Sequence, residues 1–164
     1  MNRREFLKTS MAAAGVAVVG IDCSGQNFLP GSAYFPQSVA SGDPKSDSVV
    51  LWTRVFDAAR PGSDVNVKLE LALDEGFRDF VTLSGDIHLM LDAKAAYHNC
   101  VKVRITELSA ATTYYYRFVY ETTGGDTYVS NTGRTKTAPA ADADVPVKFG
   151  VLSCQDYNGR YYNT

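Results

Sequence analysis

A cysteine near the end of the chain stands where a strand is predicted to finish. In "VKFGVLSC", apolar side chains alternate with others from Val147 to Val151, and Cys154 follows two residues after Leu152. Open α/β sheets bind their ligands at the carboxyl ends of strands, so a thiol here is a candidate ligand-binding group. By residue type alone, the alternative for Cys154 is a small, buried hydrophobic residue.

The histidines and scattered aspartates do not have the spacing of a known type of site. His88 and His98 lack a regular metal-ligand spacing and are predicted to be ordinary surface or loop histidines. No loop has the alternating oxygen ligands of a calcium cage, so the aspartates are predicted to be turn residues. We assign no catalytic residue and no cofactor-binding residue to this chain. The aspartates considered are Asp43, Asp47, Asp86 and Asp92.

Residues 1–33 are typical of an export signal. Arg3 and Arg4 precede "EFLK" and an apolar run from Met11 to Ile21, which is too short to cross a membrane. The motif "RREFLK" resembles the twin-arginine signal, which is an address read by a receptor and not a stable membrane anchor. An ordinary secretory signal with a basic start is the alternative. The small residues of "GSA" suggest cleavage after Ala33.

Composition favours a single soluble domain rich in strands. The net charge of the 164-residue chain is -2 and 21% of its residues are charged, which argues against a disordered chain and against a basic nucleic-acid binder. Aromatic residues make up 12%, and 13 glycines and 6 prolines accompany them, which favours strands and turns. An all-β body is therefore expected.

Residues 34–138 alternate with a period of two between turn signals, which predicts half-buried antiparallel strands. Strands are predicted near residues 35–41, 48–55, 66–74, 79–84, 100–106, 114–122 and 127–136. The inward residues predicted from alternation are Val67, Leu69, Leu71 and Leu73 in "VNVKLELAL", and Val101, Val103 and Ile105 in "CVKVRIT". Because "SVVLWTRV" is apolar nearly throughout, its phase is ambiguous, and Trp52 is predicted to face inward as the only tryptophan.

The segment "LSAATTYYYRFVYE" carries the strongest fold signal. Its spacing of Leu108, Thr112 and Tyr114 before a tyrosine-rich strand resembles the tyrosine corner of sandwiches, in which a phenol hydrogen-bonds to the preceding backbone. Gly124 and Gly125 then predict a hairpin turn. Seven short strands with this corner predict a fibronectin type III-like sandwich. A small closed barrel is the alternative.

After a linker at residues 139–146, the chain becomes β-like again, and its motifs resemble a known family. "FPQSVASGDPKSDSVVLWTRV" and "FGVLSCQDYNGRYY", behind "RREFLK", resemble the alkaline phosphatase D (PhoD-like) family over essentially the whole chain. That family places an N-terminal sandwich before an α/β metallophosphatase domain, which hydrolyses phosphomonoesters and phosphodiesters with iron and calcium. The resemblance implies that residues 147–164 are the first strand of such a domain.

The resemblance implies one metal ligand, Cys154, which corresponds to the family's cysteine ligand to iron. A thiolate forms readily beside a cation and binds a borderline metal strongly. Asp156 and Tyr157 do not inherit a role, because the family's bridging aspartate and ligating tyrosine lie in a later Gly-Asp segment that this sequence lacks. Two-metal hydrolysis needs ligands from several strand ends, so the chain alone is expected to be inactive and to hold neither iron nor calcium securely.

The favoured interpretation is therefore the N-terminal fragment of an exported phosphatase and phosphodiesterase. Its expected partners are a C-terminal catalytic domain, the phosphoester substrate of the complete enzyme and the twin-arginine export machinery. An apolar patch is expected where the catalytic domain would pack, and Cys100 and Cys154 are predicted not to form a disulfide in the parent enzyme. The alternative is a free-standing secreted fibronectin-like binding module, which the fold by itself permits.

Overall fold

The computed structural model describes residues 20–21, 27–146, 148 and 150–151. Apart from one 3-10 turn at Ala95–Tyr97, the regular structure of these residues is entirely β. No helix in the described part of the chain has the length and apolar character needed to cross a membrane. The strands are β1 (Gly20–Ile21), β2 (Asn27–Pro30), β3 (Val39–Gly42), β4 (Val49–Arg54), β5 (Val65–Ala72), β6 (Leu89–Ala93), β7 (Cys100–Ile105), β8 (Thr113–Glu121), β9 (Thr127–Val129) and β10 (Gly133–Lys136).

Two sheets form the body of the molecule. The smaller has the order β3-β4-β7, and the larger has the order β1-β2-β9-β8-β5-β6, with β10 also paired to β8. All neighbouring strands are antiparallel except β2 and β9, which run parallel. Three strands facing a larger sheet, with chain-distant strands as neighbours, is the arrangement of a fibronectin type III-like sandwich. The predicted fold class is confirmed.

The core lies between the inner faces of the two sheets, and the period-two pattern of β5 and β7 predicts most of their core residues correctly. Leu73, also predicted to face inward, lies just beyond β5 and is 45% exposed. Large aromatic side chains of β8 fill much of the space, so this strand contributes heavily to the burial that stabilises the domain. The inward residues of these strands include Val67, Leu69, Leu71, Val101, Ile105, Tyr114, Tyr116, Phe118 and Tyr120.

The predicted inward position of Trp52 is wrong. Val49, Leu51 and Thr53 are fully buried, whereas Trp52 is half-buried on the outer face, where it pairs with Lys102 of β7. Pairing with β7 decides the phase, because Val49 stands opposite Ile105 and both must face the same way. A run that is apolar on both faces carries no such information in its own sequence.

The strand predicted at residues 79–84 is also wrong, and a strand at β6 was missed. Residues 79–83 contribute only isolated bridges, at Ala72–Phe80 and Leu83–Asp86. The strand that extends the larger sheet is β6, which pairs with β5 over five residues. The segment between β5 and β6 instead forms a long loop whose first turn is held by the Asp74 carboxylate, which accepts hydrogen bonds from three backbone N–H groups.

The tyrosine corner is confirmed. The hydroxyl of Tyr114 accepts a hydrogen bond from the backbone N–H of Ser109 at 2.8 Å, and it joins the start of β8 to the preceding loop. The glycine turn is confirmed too, because β8 and β9 form an antiparallel hairpin with Gly125 at a φ of 88°. The strand predicted at residues 127–136 divides into β9 and β10 around Ser130, whose hydroxyl accepts a hydrogen bond from Phe118 N–H.

The body begins upstream of Tyr34, within the range assigned to the export signal. Strand β2 lies beside β9, and Phe28 is 3% exposed. The twin-arginine motif at Arg3 and Arg4 lies outside the described residues. Residues 139–146 are mostly exposed and contain a turn at 141–142 but no strand.

Candidate functional site

The predicted metal ligand Cys154 lies outside the described residues, as do Asp156 and Tyr157. Within the part of the chain that the structure describes, no group of three histidine, cysteine or acidic side chains could hold a metal ion. Iron and calcium therefore find no fitting donor set among these residues. Cys100 is a half-buried thiol at the start of β7, opposite Arg54 of β4.

His98 and the aspartates considered from the sequence are dispersed over the surface, whereas His88 is half-buried. His98 is exposed at the end of the 3-10 turn, and Asp43 pairs with Arg104 at 2.6 Å. Asp92 pairs with Lys94 at 3.2 Å, whereas Asp86 accepts a hydrogen bond from the His88 backbone N–H. These aspartates serve local turns and exposed ion pairs, which contribute little to stability.

The most unusual polar group in the described structure is a buried ion pair on the outer face of the larger sheet. Glu70 of β5 stands directly opposite Arg117 of β8. Arg117 Nε donates a hydrogen bond to Glu70 Oε2 at 2.5 Å. The two side chains are only 1% and 13% exposed, which is rare for these residue types unless they are paired.

Aromatic side chains cover this ion pair. The Arg117 guanidinium carbon lies 4.0 Å from the ring centre of Phe77 and 4.7 Å from that of Phe28, so the planar cation is in contact with two π faces. His88 approaches from the loop, with Nδ1 3.2 Å from Glu70 Oε1. That contact meets the distance for an ion pair, but its geometry does not satisfy a hydrogen bond, so we regard it as a close approach only.

This arrangement has the properties of a structural element rather than a catalytic one. Arg117 Nη2 is buried and has no hydrogen-bond partner among the described residues. A buried charge with an unused donor is costly unless the surrounding structure holds it in place. No group of metal-binding side chains accompanies the pair within the described residues. We therefore interpret the ion pair between Glu70 and Arg117 as a structural contact that joins β5 to β8 beneath Phe28 and Phe77.

A second polar contact joins a core tyrosine to a loop. The Tyr120 hydroxyl donates a hydrogen bond to Asp57 Oδ2 at 2.6 Å, and the Tyr120 ring lies 5.4 Å from that of Tyr34. Burial raises the pKa of the Tyr120 phenol to about 12, and the neighbouring Asp57 carboxylate adds to the increase. The phenol therefore remains a neutral hydrogen-bond donor at neutral pH.

Clefts at the surface of the described residues are small and open. One of about 270 Å³ is lined by residues that include Arg60, Lys68 and Met90. Another of about 260 Å³ lies beside Phe28 and Arg117. Both are below the ~300 to 1,000 Å³ typical of small-molecule sites. Neither contains a group of side chains that could hold the metal ions of two-metal phosphoester hydrolysis.

Sequence reasoning missed the ion pair between Glu70 and Arg117. Alternation correctly placed Glu70 on the face of β5 opposite Leu69 and Leu71, but it did not indicate that this face is covered. The available signal was a pair of opposite charges at outward positions of two central strands. Their register could not be read, because β5 and β8 are neighbours in space but are separated in sequence by β6 and β7.

Comparison with known families gives a clear match. The model of the family described as "PhoD-like phosphatase, N-terminal domain" matches residues 22–139. The chain is also 36% identical to alkaline phosphatase D of Bacillus subtilis (strain 168) over 174 aligned positions. That alignment covers 98% of this chain and 28% of the relative.

One solved structure supports the same relationship. The structure of PhoD matches with a TM-score of 0.59 and 40% identity, covering 74% of this chain and 22% of that one. A human fibronectin type III domain of the collagen alpha-1(XX) chain covers 69% of this chain at 21% identity. Its TM-score of 0.40 is too low to support an argument. The chain thus spans less than a third of the curated relative and of the solved PhoD chain.

Proposed function

Because this chain belongs to the PhoD-like phosphatase N-terminal domain family, we propose that it is the N-terminal sandwich of an exported, metal-dependent phosphoester hydrolase. The observation that carries the proposal is the 36% identity to alkaline phosphatase D over 98% of the chain. The twin-arginine motif "RREFLK" at the N-terminus supports export. The proposed reaction of the complete protein is hydrolysis of phosphomonoesters and phosphodiesters.

In this proposal the sandwich supports catalysis without taking part in the chemistry. Its described residues form a two-sheet body and contain no metal-binding group. Cys154 is the proposed contribution of this chain to an iron site, with the remaining ligands supplied from beyond the sandwich. Bound metal would supply a Lewis acid and an activated water.

A catalytic domain is the proposed packing partner of the sandwich. Exposed apolar side chains occur on several separate segments and do not identify one docking face. They include Phe56, Leu73, Ile87, Met90 and Tyr97. The apolar patch expected from the sequence remains a prediction.

The test is to purify the native protein from its source and measure its intact mass, metal content and hydrolysis of p-nitrophenyl phosphate and bis(p-nitrophenyl) phosphate. We expect a mass well above the 17.9 kDa of this chain, bound metal and hydrolysis of both substrates. The 164-residue chain alone is expected to hydrolyse neither. A native protein that ends at Thr164 and hydrolyses neither substrate would contradict the proposal and favour a secreted binding module.

Two cysteine variants of the native protein test the metal assignment. Cys154→Ser is expected to lower the iron content by at least about tenfold, because thiolate donation to the metal is lost. Cys100→Ser is the matched control and is expected to leave the iron content unchanged, because Cys100 has no metal-binding partners in the described structure. Equal iron content in the two variants would remove Cys154 from the proposed site.

A further inference from the structure

Strand β2 is integrated into the larger sheet. Leu29 and Pro30 stand in parallel register with Tyr128 and Val129 of β9. Just beyond the strand, the Gly31 backbone N–H donates a hydrogen bond to Val129 O at 2.8 Å. A strand that pairs with the sheet satisfies backbone groups which would otherwise remain unpaired at the β9 edge. Residues 27–31 are therefore part of the packed domain.

Phe28 also covers the buried ion pair. Its side chain is 3% exposed, and its ring lies 4.7 Å from the Arg117 guanidinium carbon. Loss of β2 would remove one of the two aromatic rings in contact with Arg117. It would also admit water to a pair that the fold otherwise keeps almost completely buried. Loss of β2 would therefore destabilise the domain in two ways. A large buried side chain would be removed, and the buried charge of Arg117 would be less shielded from water.

The bond between Ala33 and Tyr34 lies inside a hydrogen-bonded turn. Gly31 O accepts hydrogen bonds from the backbone N–H groups of Tyr34 at 2.9 Å and Phe35 at 2.8 Å. Phe35 anchors the far side of this turn in the core, where it is 3% exposed. At Gly31, a Cβ would lie 2.5 Å from Val129 O, so the turn fits closely against β9. A protease would have to open this turn before it could bind the bond in an extended form.

We propose that residues 27–33 belong to the mature folded domain and that export processing occurs N-terminal to Asn27. This inference moves the processing site upstream of the small residues ending at Ala33. The processing half rests on the proposed export. The structural half, that β2 stabilises the domain, stands on the contacts of Phe28 and Gly31 alone.

The processing half is tested by determining the N-terminus of the exported native protein and of its Ala33→Arg variant. Ala33 is exposed, so arginine is tolerated by the fold, but it would block a signal peptidase that requires a small residue before the cut. We expect unchanged export and an N-terminus at or before Asn27 in both proteins. Accumulation of uncleaved precursor only in Ala33→Arg, or a mature N-terminus at Tyr34, would overturn the proposal.

The structural half is tested in the full 164-residue chain by thermal unfolding. Phe28→Ala is expected to lower the transition midpoint by at least about 10 °C, because a buried ring is lost beside the ion pair. Ser32→Ala changes an exposed residue of the same segment and is expected to shift the midpoint by less than about 3 °C. If Phe28→Ala unfolds the protein completely, Phe28→Leu should give a smaller, measurable decrease. Equal midpoints for Phe28→Ala and Ser32→Ala would contradict the proposal, whether or not the protein is an exported phosphatase.

Discussion

Glu70 and Arg117 are joined across β5 and β8 by a hydrogen bond of 2.5 Å on the outer face of the larger sheet. Such a face is normally solvated in an antiparallel sandwich. Here Phe28 and Phe77 cover it, so that Glu70 is only 1% exposed. At this point the larger sheet is therefore covered on both faces. The ion pair contacts Phe28 of β2 and Phe77 of the loop that follows β5.

Breaking this pair is predicted to be strongly destabilising. Glu70→Met or Arg117→Met leaves one buried charge without its partner, and we expect each to lower the free energy of unfolding by about 3 to 5 kcal/mol. The double variant is expected to lose less than the sum of the two, because no buried charge remains. Urea unfolding measures all three values.

The matched control for this pair is a partly exposed ion pair on the same sheet. Lys68 and Glu121 approach to 3.7 Å, and their side chains are 31% and 57% exposed. Lys68→Met is expected to change the free energy of unfolding by less than about 1 kcal/mol. If Arg117→Met costs no more than Lys68→Met, the structural importance of the buried pair is disproved.

The tyrosine corner is predicted to contribute a single hydrogen bond to stability. Tyr114→Phe removes the acceptor for the Ser109 N–H while retaining the buried ring, and should lower the free energy of unfolding by about 1 to 2 kcal/mol. Tyr115→Phe, on the opposite face of β8, serves as the control and is expected to have a smaller effect. Denaturant titration measures the free energy of unfolding of both variants. Equal losses would contradict a specific contribution from the Tyr114 hydroxyl.

Stability is predicted to fall at high pH through Tyr120. The folded-state pKa of its phenol, about 12, lies above the ordinary value of 10.0, because burial disfavours the phenolate. The folded protein therefore retains a proton that the unfolded chain releases. The contribution of the Tyr120 phenol to the free energy of unfolding is complete below pH 10 and is lost as pH rises toward about 12. Tyr120→Phe should flatten the decline in unfolding free energy over this interval, and an unchanged slope would contradict the assignment.

Stability is predicted to fall at low pH through Asp74. Hydrogen bonds from the backbone N–H groups of Asp79, Arg78 and Gly76 hold the pKa of the Asp74 carboxyl below its usual value. The contribution is present above the unfolded-state pKa of about 4 and is lost as pH falls through the lower folded-state value. Asp74→Asn should reduce the acid dependence of the unfolding midpoint. An unchanged acid dependence in Asp74→Asn would contradict the assignment.

Strands with one apolar face could be predicted in detail. In β5 and β7 the alternation predicts the inward side chains, and the spacing before Tyr114 predicts the corner that the structure contains. The phase of β4 could not be obtained in this way, because apolar residues occupy both of its faces. Trp52 faces outward since Val49 and Leu51 are aligned by β7 with the core.

Local sequence patterns could not predict elements whose position depends on pairing with another strand of the sheet. Strand β6 and the loop before it are both moderately apolar, and only pairing with β5 distinguishes them. Strand β2 resembles the end of an export signal in its sequence, yet it is held by β9, which lies far along the chain. The candidate ligand Cys154 was identified through family resemblance and lies outside the described residues.

The sequence by itself determined the fold class, the inner faces of β5 and β7 and the family, because these depend on local periodicity and short motifs. Only the tertiary structure decided that β2 joins the sheet, that Trp52 faces outward, and that Glu70 meets Arg117 beneath two aromatic rings. Each of these depends on the register between strands that are neighbours in space but not in sequence, and register is set by the packing of the whole domain.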